Sequence, residues 1–118
     1  MKHYALIALV IAGAALVAAP ASAGPTKTVK VLDNYFSPKR VTVAKDTTVQ
    51  WNWPEDGGDV HDVKLTSAPK GVRKFHSEAG SSGYTFRRKL SRPGTYKLLC
   101  TFHEDDDMRM TVTVRKKK

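Results

Sequence analysis

The sequence predicts an all-β fold, a single sandwich of two antiparallel sheets with about seven strands. From Lys27 onward, short runs rich in valine, threonine, tyrosine and tryptophan are separated by glycine, proline, asparagine and aspartate, and little helical periodicity is sustained. Seven strands at this spacing are typical of two sheets packed face to face. The strands are predicted at Thr28 to Leu32, Arg40 to Val43, Thr47 to Trp53, His61 to Thr66, Tyr84 to Leu90, Thr95 to Thr101 and Arg109 to Arg115.

The alternation within the strands predicts which side chains point into the sandwich. Residues two apart in a strand lie on the same face. Cys100 shares the face of Leu98 at the end of one predicted strand, and His61 shares the face of Val63 at the start of another. Antiparallel neighbours place the start of one strand beside the end of the other. We therefore expect both side chains to reach the same end of the sandwich.

The N-terminal segment has the pattern of a secretory signal peptide. Lys2 precedes an apolar run from Ala5 to Ala19, and Ala21-Ser22-Ala23 forms an A-x-A cleavage signal. This run is shorter than the roughly 18 to 20 residues of a membrane-spanning helix. We therefore predict a signal peptide over 1–23, one domain with a single core over 24–118, and an exported mature protein, periplasmic or extracellular, without a membrane span.

The charge distribution argues against a nucleic-acid partner. The net charge is +9 at pH 7, which by itself would suit nucleic acid or an anionic surface. However, eight of the eleven acidic residues lie in two short regions, Glu55 to Asp62 and Glu104 to Asp107. If those two loops meet, negative charge is expected at one end of the molecule and positive charge over the rest. The basic residues Arg115 to Lys118 are expected to form a solvated end.

Three candidate metal ligands lie within nine residues of each other. They are the thiol of Cys100, the imidazole of His103 and the thioether of Met108. As the only cysteine of an exported chain, Cys100 has no partner for an internal disulfide. Each residue alone is explained by core packing or hydrogen bonding. Together with His61 they supply two imidazoles, a thiolate and a weak axial thioether, which is the ligand set of blue-copper electron transfer.

The sequence around these residues resembles the plastocyanin and azurin group of small blue-copper proteins, the cupredoxins. The matching segments are Phe36-Ser37-Pro38, Val41-Thr42-Val43, Thr48-Val49-Gln50-Trp51, Val60-His61-Asp62-Val63, Pro93-Gly94-Thr95-Tyr96 and Cys100-Thr101-Phe102-His103, followed by Met108. The spacing from the cysteine to the histidine and methionine is most similar to that of plastocyanin. The resemblance implies a Greek-key sandwich and one type 1 copper ion. His61, Cys100 and His103 would be its equatorial ligands and Met108 its long axial ligand.

Three positions depart from the family pattern. Asp62 stands where the family usually has an asparagine that ties the ligand loops together, and its negative charge should favour the cupric state and lower the reduction potential. Met110 replaces a glycine of many relatives; it is expected to fill the core, with axial ligation in place of Met108 as the alternative. The acidic loop Glu104 to Asp107 is either a solvated charge run or, with the acids between Glu55 and Asp59, a rim that steers a cationic partner.

The predicted function is a one-electron carrier that passes electrons to redox partner proteins at the edge where His103 approaches solvent, and the protein is expected to be a monomer. The alternative is a carrier or buffer of copper outside the cytoplasm, with the same ligands. An enzyme is not predicted, although Cys100 and His103 could be a nucleophile and a base. The inward direction of Cys100, the lack of a third orienting residue and the short chain argue against catalysis. Zinc could also bind cysteine and histidine.

Overall fold

The computed structural model describes Gly13 and residues 24–116, and this part of the chain is built from strands. The strands are β1 (Thr26–Leu32), β2 (Tyr35–Ser37), β3 (Arg40–Ala44), β4 (Thr47–Asn52), β5 (Lys64–Ser67), β6 (Thr85–Leu90), β7 (Gly94–Leu99) and β8 (Arg109–Arg115). Within residues 24–116 the one helical element is a 3₁₀ turn at Glu104–Asp106. The predicted all-β fold is therefore confirmed.

Two expectations concern parts of the chain beyond this range. The predicted signal peptide, residues 1–23, lies outside the described residues except for Gly13, and so do the last two residues of the predicted domain. The described segments contain no helix that is both long enough and apolar enough to cross a membrane.

The strands form two four-stranded sheets that pack against each other. Their orders are β2-β1-β4-β6 and β3-β8-β7-β5. Two pairs, β1 with β4 and β3 with β8, are parallel, and the other pairs are antiparallel. The sandwich is confirmed, with two parallel pairs that the sequence did not reveal. Alternation marks the face to which a residue points, but it is the same for a strand that runs in either direction.

One strand was not predicted, and another begins later than predicted; the other bounds lie within two residues of their predicted positions. β2 was not predicted, because three residues with a single buried side chain, Phe36, are too short to show a period of two. The strand predicted to start at His61 begins three residues later, at Lys64. His61 instead forms an isolated antiparallel bridge with Gly80, in which each backbone N–H donates to the other residue's carbonyl at 2.9 Å. His61 therefore lies in a connection that is fixed to the segment before β6.

The core lies between the two sheets and shows the alternation of buried and less buried residues. β4 shows the pattern most clearly, since Val49 and Trp51 are fully buried while the alternate residues Thr48, Gln50 and Asn52 are half-buried. The Trp51 ring packs against Phe75 and Phe86, with ring centroids 6.1 and 5.8 Å away. Burying a side chain of this kind stabilises the fold by about 1.5–3 kcal/mol. This apolar layer extends beyond the end of β7, since Cys100 and Met108 belong to the same buried cluster.

Candidate metal centre

Three side chains converge just beyond the end of β7: His61, Cys100 and His103. The Nδ1 atom of His61 lies 3.8 Å from the Cys100 Sγ, and the Nδ1 atom of His103 lies 3.6 Å from it. One donor atom from each residue lies within 4.8 Å of the other two. His61 and Cys100 are buried, and His103 is half-buried. The structure thus brings together three of the four residues that were predicted as ligands, and their binding of a metal stays a prediction.

The loop that carries Cys100 and His103 is closed by its own backbone. The N–H of Cys100 donates to the Met108 carbonyl at 3.0 Å, and the N–H of Met108 donates to the His103 carbonyl at 3.2 Å. The chain then reverses through the 3₁₀ turn, and Asp107 ends it in a left-handed conformation with φ of 54°. These bonds connect the end of β7 to the start of β8. The positions of Cys100 and His103 therefore follow from the pairing of two neighbouring strands.

Asp33 holds His61 from the turn between β1 and β2, and sequence reasoning missed it. The His61 Nε2–H donates to Asp33 Oδ1 at 2.8 Å, which leaves the Nδ1 lone pair directed at the Cys100 thiol. Asp33 Oδ1 also accepts the N–H of Asp59 at 2.9 Å. The hydrogen bond from His61 lowers the pKa of the Asp33 carboxyl. A carboxylate on the outer nitrogen of a ligating imidazole fixes its orientation and raises its basicity.

Asp62 ties the two ligand loops together, in the position where the family usually has asparagine. Its Oδ1 accepts the N–H of Thr101 at 2.7 Å, and its Oδ2 accepts the Thr101 hydroxyl at 2.6 Å. The Nε2–H of His76 donates to Oδ2 at 2.6 Å. Burial raises the pKa of Asp62, but the bonds from Thr101 and His76 outweigh it and the pKa is lowered. An ionised carboxylate accepts hydrogen bonds at both oxygens, so it can pair with all three of these groups while each of them donates.

The two methionines occupy different surroundings. Both are buried, with Met108 1% and Met110 2% exposed. The indole N–H of Trp51 donates to the Met110 Sδ at 3.2 Å, so this sulfur is already engaged within the core. This contact agrees with the prediction that Met110 fills the core. Met108 immediately follows the turn after His103, and it remains the predicted axial ligand.

The donor set fits a type 1 copper ion. A thiol flanked by two imidazole nitrogens, with a methionine next to the loop, offers the soft and borderline donors that copper prefers over magnesium or calcium. Burial raises the pKa of the Cys100 thiol, so a metal ion must displace a proton when it binds. Both Nδ1 atoms face the sulfur, as a trigonal arrangement of two histidines and one cysteine requires.

The two acidic loops meet beside His103. The Oδ2 of Asp59 lies 3.8 Å from the His103 Nε2, on the side of the ring that faces away from Cys100. The acids of the 3₁₀ turn are exposed, whereas Asp107 is paired with Lys39 at 3.6 Å and Arg109 at 3.1 Å. The end of the molecule at which His103 approaches solvent is therefore acidic, although the whole chain is basic.

Comparison with known proteins places the chain in a family. A family model described as a cupredoxin-like domain matches residues 5–114. Halocyanin of Natronomonas pharaonis is 34% identical over 80 residues, which cover 67% of this chain and 47% of halocyanin. Plastocyanin of Ulva prolifera is 31% identical over 86 residues, which cover 68% of this chain and 86% of that protein. The matched part of this chain thus spans about half the length of halocyanin and most of plastocyanin.

Solved structures agree with the fold. A pseudoazurin from Methylobacterium extorquens AM1 has a TM-score of 0.66 at 24% identity, over 79% of this chain and 77% of that one. The reduced Cu(I) form of a mutant amicyanin has a TM-score of 0.65 at 22% identity, over 79% and 85% of the two chains. With the family match and the geometry above, the chain belongs to the cupredoxin-like family of small blue copper proteins.

Proposed function

We propose that this protein is an exported one-electron carrier that holds one type 1 copper ion through His61, Cys100, His103 and Met108. The observation that carries the proposal is the convergence of two imidazole Nδ1 atoms on one buried thiol, within 4.8 Å. Family membership supports it, since the relatives include plastocyanins and a neighbour is an amicyanin solved in a Cu(I) form.

The residues of the chain keep the ligand positions constant during electron transfer. Bound copper supplies the one-electron chemistry by alternating between Cu(I) and Cu(II). His61 is held by the Asp33 carboxylate and by its bridge to Gly80. Cys100 is held by the backbone bond to Met108, and Asp62 holds the next residue, Thr101. Because His61 and Cys100 are anchored independently of the metal, these two ligands should move little when the oxidation state changes.

The route for electrons leads through the acidic end. The side chain of His103 is 17% exposed, and the neighbouring Phe102 is 53% exposed. The acids of the 3₁₀ turn and Asp59 surround this edge. A redox partner with a cationic docking surface would be attracted to it, and such complementarity increases the rate of association more than the affinity.

The proposal includes removal of residues 1–23 and a monomeric domain over 24–118 outside the cytoplasm. Metal ligation also gives Cys100, which is buried and free of a disulfide, a role that is compatible with an oxidising compartment. N-terminal sequencing of protein purified from a periplasmic or culture fraction should begin at Gly24. A protein that keeps Met1 and stays in the cytoplasmic fraction would contradict export, without affecting the copper site.

The copper function is tested by loading the purified domain with Cu(II). We expect an intense visible band from the thiolate–copper bond, the matching electron paramagnetic resonance signal, and reversible voltammetry. Changing Cys100→Ser should abolish the band, because the hydroxyl does not provide a soft thiolate. The matched control is Ser77→Ala, which changes a buried hydroxyl outside the ligand set.

Three outcomes would contradict the carrier function. A band that persists in the Cys100→Ser variant would remove Cys100 from the site. Tight binding of Cu(I) without the band and without reversible cycling would support a copper carrier or buffer. Preference for zinc in competition with copper would assign a different metal.

A further inference from the structure

A second feature of the structure lies on the side of the sandwich, where a groove of about 460 Å³ opens between the segment 72–76 and the end of β6. Its apolar side chains are Val72, Phe75, Leu90 and Tyr96, all of them buried or half-buried. The N–H of Leu65 donates to the Phe75 carbonyl at 3.0 Å, which fixes the segment to β5. The groove therefore has a preformed apolar floor, and its volume is in the range of ligand pockets.

The rim of the groove is cationic. Five basic residues line it, and no acidic residue does: Arg73, Lys74, Arg88, Lys89 and Arg92. None of the five has a carboxylate partner among the ion pairs of residues 24–116. The Arg88 guanidinium lies over the Phe86 ring, 4.3 Å from its centroid, and 5.5 Å from that of Phe75. Five cations without counter-charges produce a local positive potential that an anionic ligand would neutralise.

The shape of the groove restricts the kind of anion. A lipid bilayer presents a flat surface that would meet the basic rim but could not reach the apolar floor. A second copy of this chain carries the same excess of positive charge, +9 over the full sequence, so two copies repel each other at long range. A ligand with an apolar side chain between carboxylates can do both: its apolar side chain covers the floor of the groove, and its carboxylates neutralise the basic rim.

We propose that this groove, lined by residues 72–76, 88–92 and Tyr96, is a docking site for an acidic segment of a partner protein. The segment would place one apolar side chain against Phe75 and Leu90 and its flanking carboxylates on the basic rim. The affinity should be modest and should fall with added salt, because the charges on the rim are exposed.

The groove also reaches the surroundings of the metal centre. His76 lines one end of it and donates to Asp62, which in turn accepts the N–H of Thr101, the residue after Cys100. An electron carrier has to recognise both a donor and an acceptor. The acidic end beside His103 and this basic groove would distinguish two partners by charge. Only this assignment to a redox partner rests on the proposed function; the binding of an acidic segment does not.

The test uses the metal-free protein and the synthetic peptide EEFEE, with EEAEE and KKFKK for comparison. Amide chemical shifts in a nuclear magnetic resonance titration should change at residues 72–76 and 88–92 with EEFEE. EEAEE should bind several-fold more weakly, and KKFKK should not bind.

In the double variant Arg73→Glu with Lys74→Glu, the affinity for EEFEE should fall by about tenfold or more. The matched control, Lys27→Glu with Lys45→Glu, makes the same charge change at exposed lysines outside the groove.

Several results would overturn the docking site. Equal loss of affinity in both double variants would indicate a non-specific effect of net charge. Equal affinity for EEFEE and EEAEE would mean that the apolar floor is not used. If the protein binds phosphatidylglycerol vesicles and EEFEE does not displace it from them, the face would be assigned to a membrane. If the protein sediments as a salt-sensitive dimer that EEFEE dissociates, the face would be assigned to a second copy. Because the peptide is titrated without metal, each of these results leaves the copper function intact.

Discussion

Inward-facing side chains serve different purposes in the middle of the sandwich and at its candidate metal end, the part around His61, Cys100 and His103. Leu98 on β7 and Cys100 just beyond it are two residues apart, and both are at most 2% exposed. Leu98 lies opposite Met110 in the apolar layer between the sheets. Cys100 faces the imidazoles of His61 and His103. The His61 ring is held by a hydrogen bond to the Asp33 carboxylate, and the His103 ring has Asp59 Oδ2 at 3.8 Å. Stability and the proposed metal chemistry therefore depend on neighbouring stretches of the chain, one on β7 and one just after it, and should be separable by substitution.

The largest expected effect on stability is in the middle. Leu98→Ala should lower the free energy of unfolding of the metal-free domain by about 2–5 kcal/mol, because it leaves a cavity in a closely packed layer. The folded fraction should still give the visible band with copper. Cys100→Ala removes only the sulfur and should cost less stability, but it should abolish the band. Urea unfolding measures the stability of both variants, and absorption spectra measure the visible band. If both variants lost similar stability and both kept the band, the two regions would not be separable.

At the metal end, Asp33→Asn should lower copper affinity by about 10- to 100-fold, because loss of the carboxylate leaves the His61 ring less basic and less firmly oriented. Removal of a negative charge should also raise the reduction potential. Competition with a copper chelator and voltammetry measure the two effects. Asp46→Asn is the matched control, since it makes the same change in a turn between β3 and β4. Unchanged affinity and potential in Asp33→Asn would show that the carboxylate does not act on the centre.

Substitution of the two methionines tests which of them belongs to the copper site and which belongs to the core. Met108→Leu should change the visible spectrum and the reduction potential, since it would remove the axial sulfur. Met110→Leu should leave both unchanged and destabilise the metal-free domain by roughly 1–3 kcal/mol, because it leaves the buried indole N–H of Trp51 without an acceptor. The reverse pattern would make Met110 the axial ligand.

The smallest effect is expected at Tyr96, which lies further along β7 from the candidate metal centre than Leu98 does. The Tyr96 hydroxyl donates to the Arg92 carbonyl at 2.6 Å, and Tyr96→Phe should cost about 1 kcal/mol. Burial raises the pKa of Tyr96 above its ordinary value of 10.0. The folded state thus favours the neutral form of Tyr96. The contribution of this side chain to the free energy of unfolding is complete below pH 10 and is lost as the pH rises through the pKa of the folded state.

The pH dependence of this contribution can be measured by difference. Unfolding of the wild type and of Tyr96→Phe should differ in stability at neutral pH, and the difference should shrink in alkali. Tyr35→Phe is the control, since that ring is 54% exposed. A constant difference across the alkaline range would contradict burial of the Tyr96 hydroxyl, and copper colour at neutral pH should be unaffected throughout.

Much of the fold followed from local sequence patterns. Alternation assigned the inward faces, including those of Leu98 and Cys100, because side chains on a strand point to opposite faces in turn. The same alternation could not show that β1 and β4 run parallel, and β2 is too short to produce it. His61 was placed on a strand, although it lies in a connection, because the apolar period continues through Val63 into β5.

By itself, the sequence determined the kind of fold and a set of soft donors near one strand end. Only the tertiary structure decided how those donors are supported. Asp33 is 28 residues away from His61 and lies in a turn, where aspartate is common, so no spacing identified it. The sequence predicted that Met110 fills the core, but its acceptor role for the Trp51 N–H, which comes from the opposite sheet, is visible only in the tertiary structure. Hydrogen bonds between distant segments depend on how the sheets pack, and that information is spread over the whole core rather than encoded in any local pattern.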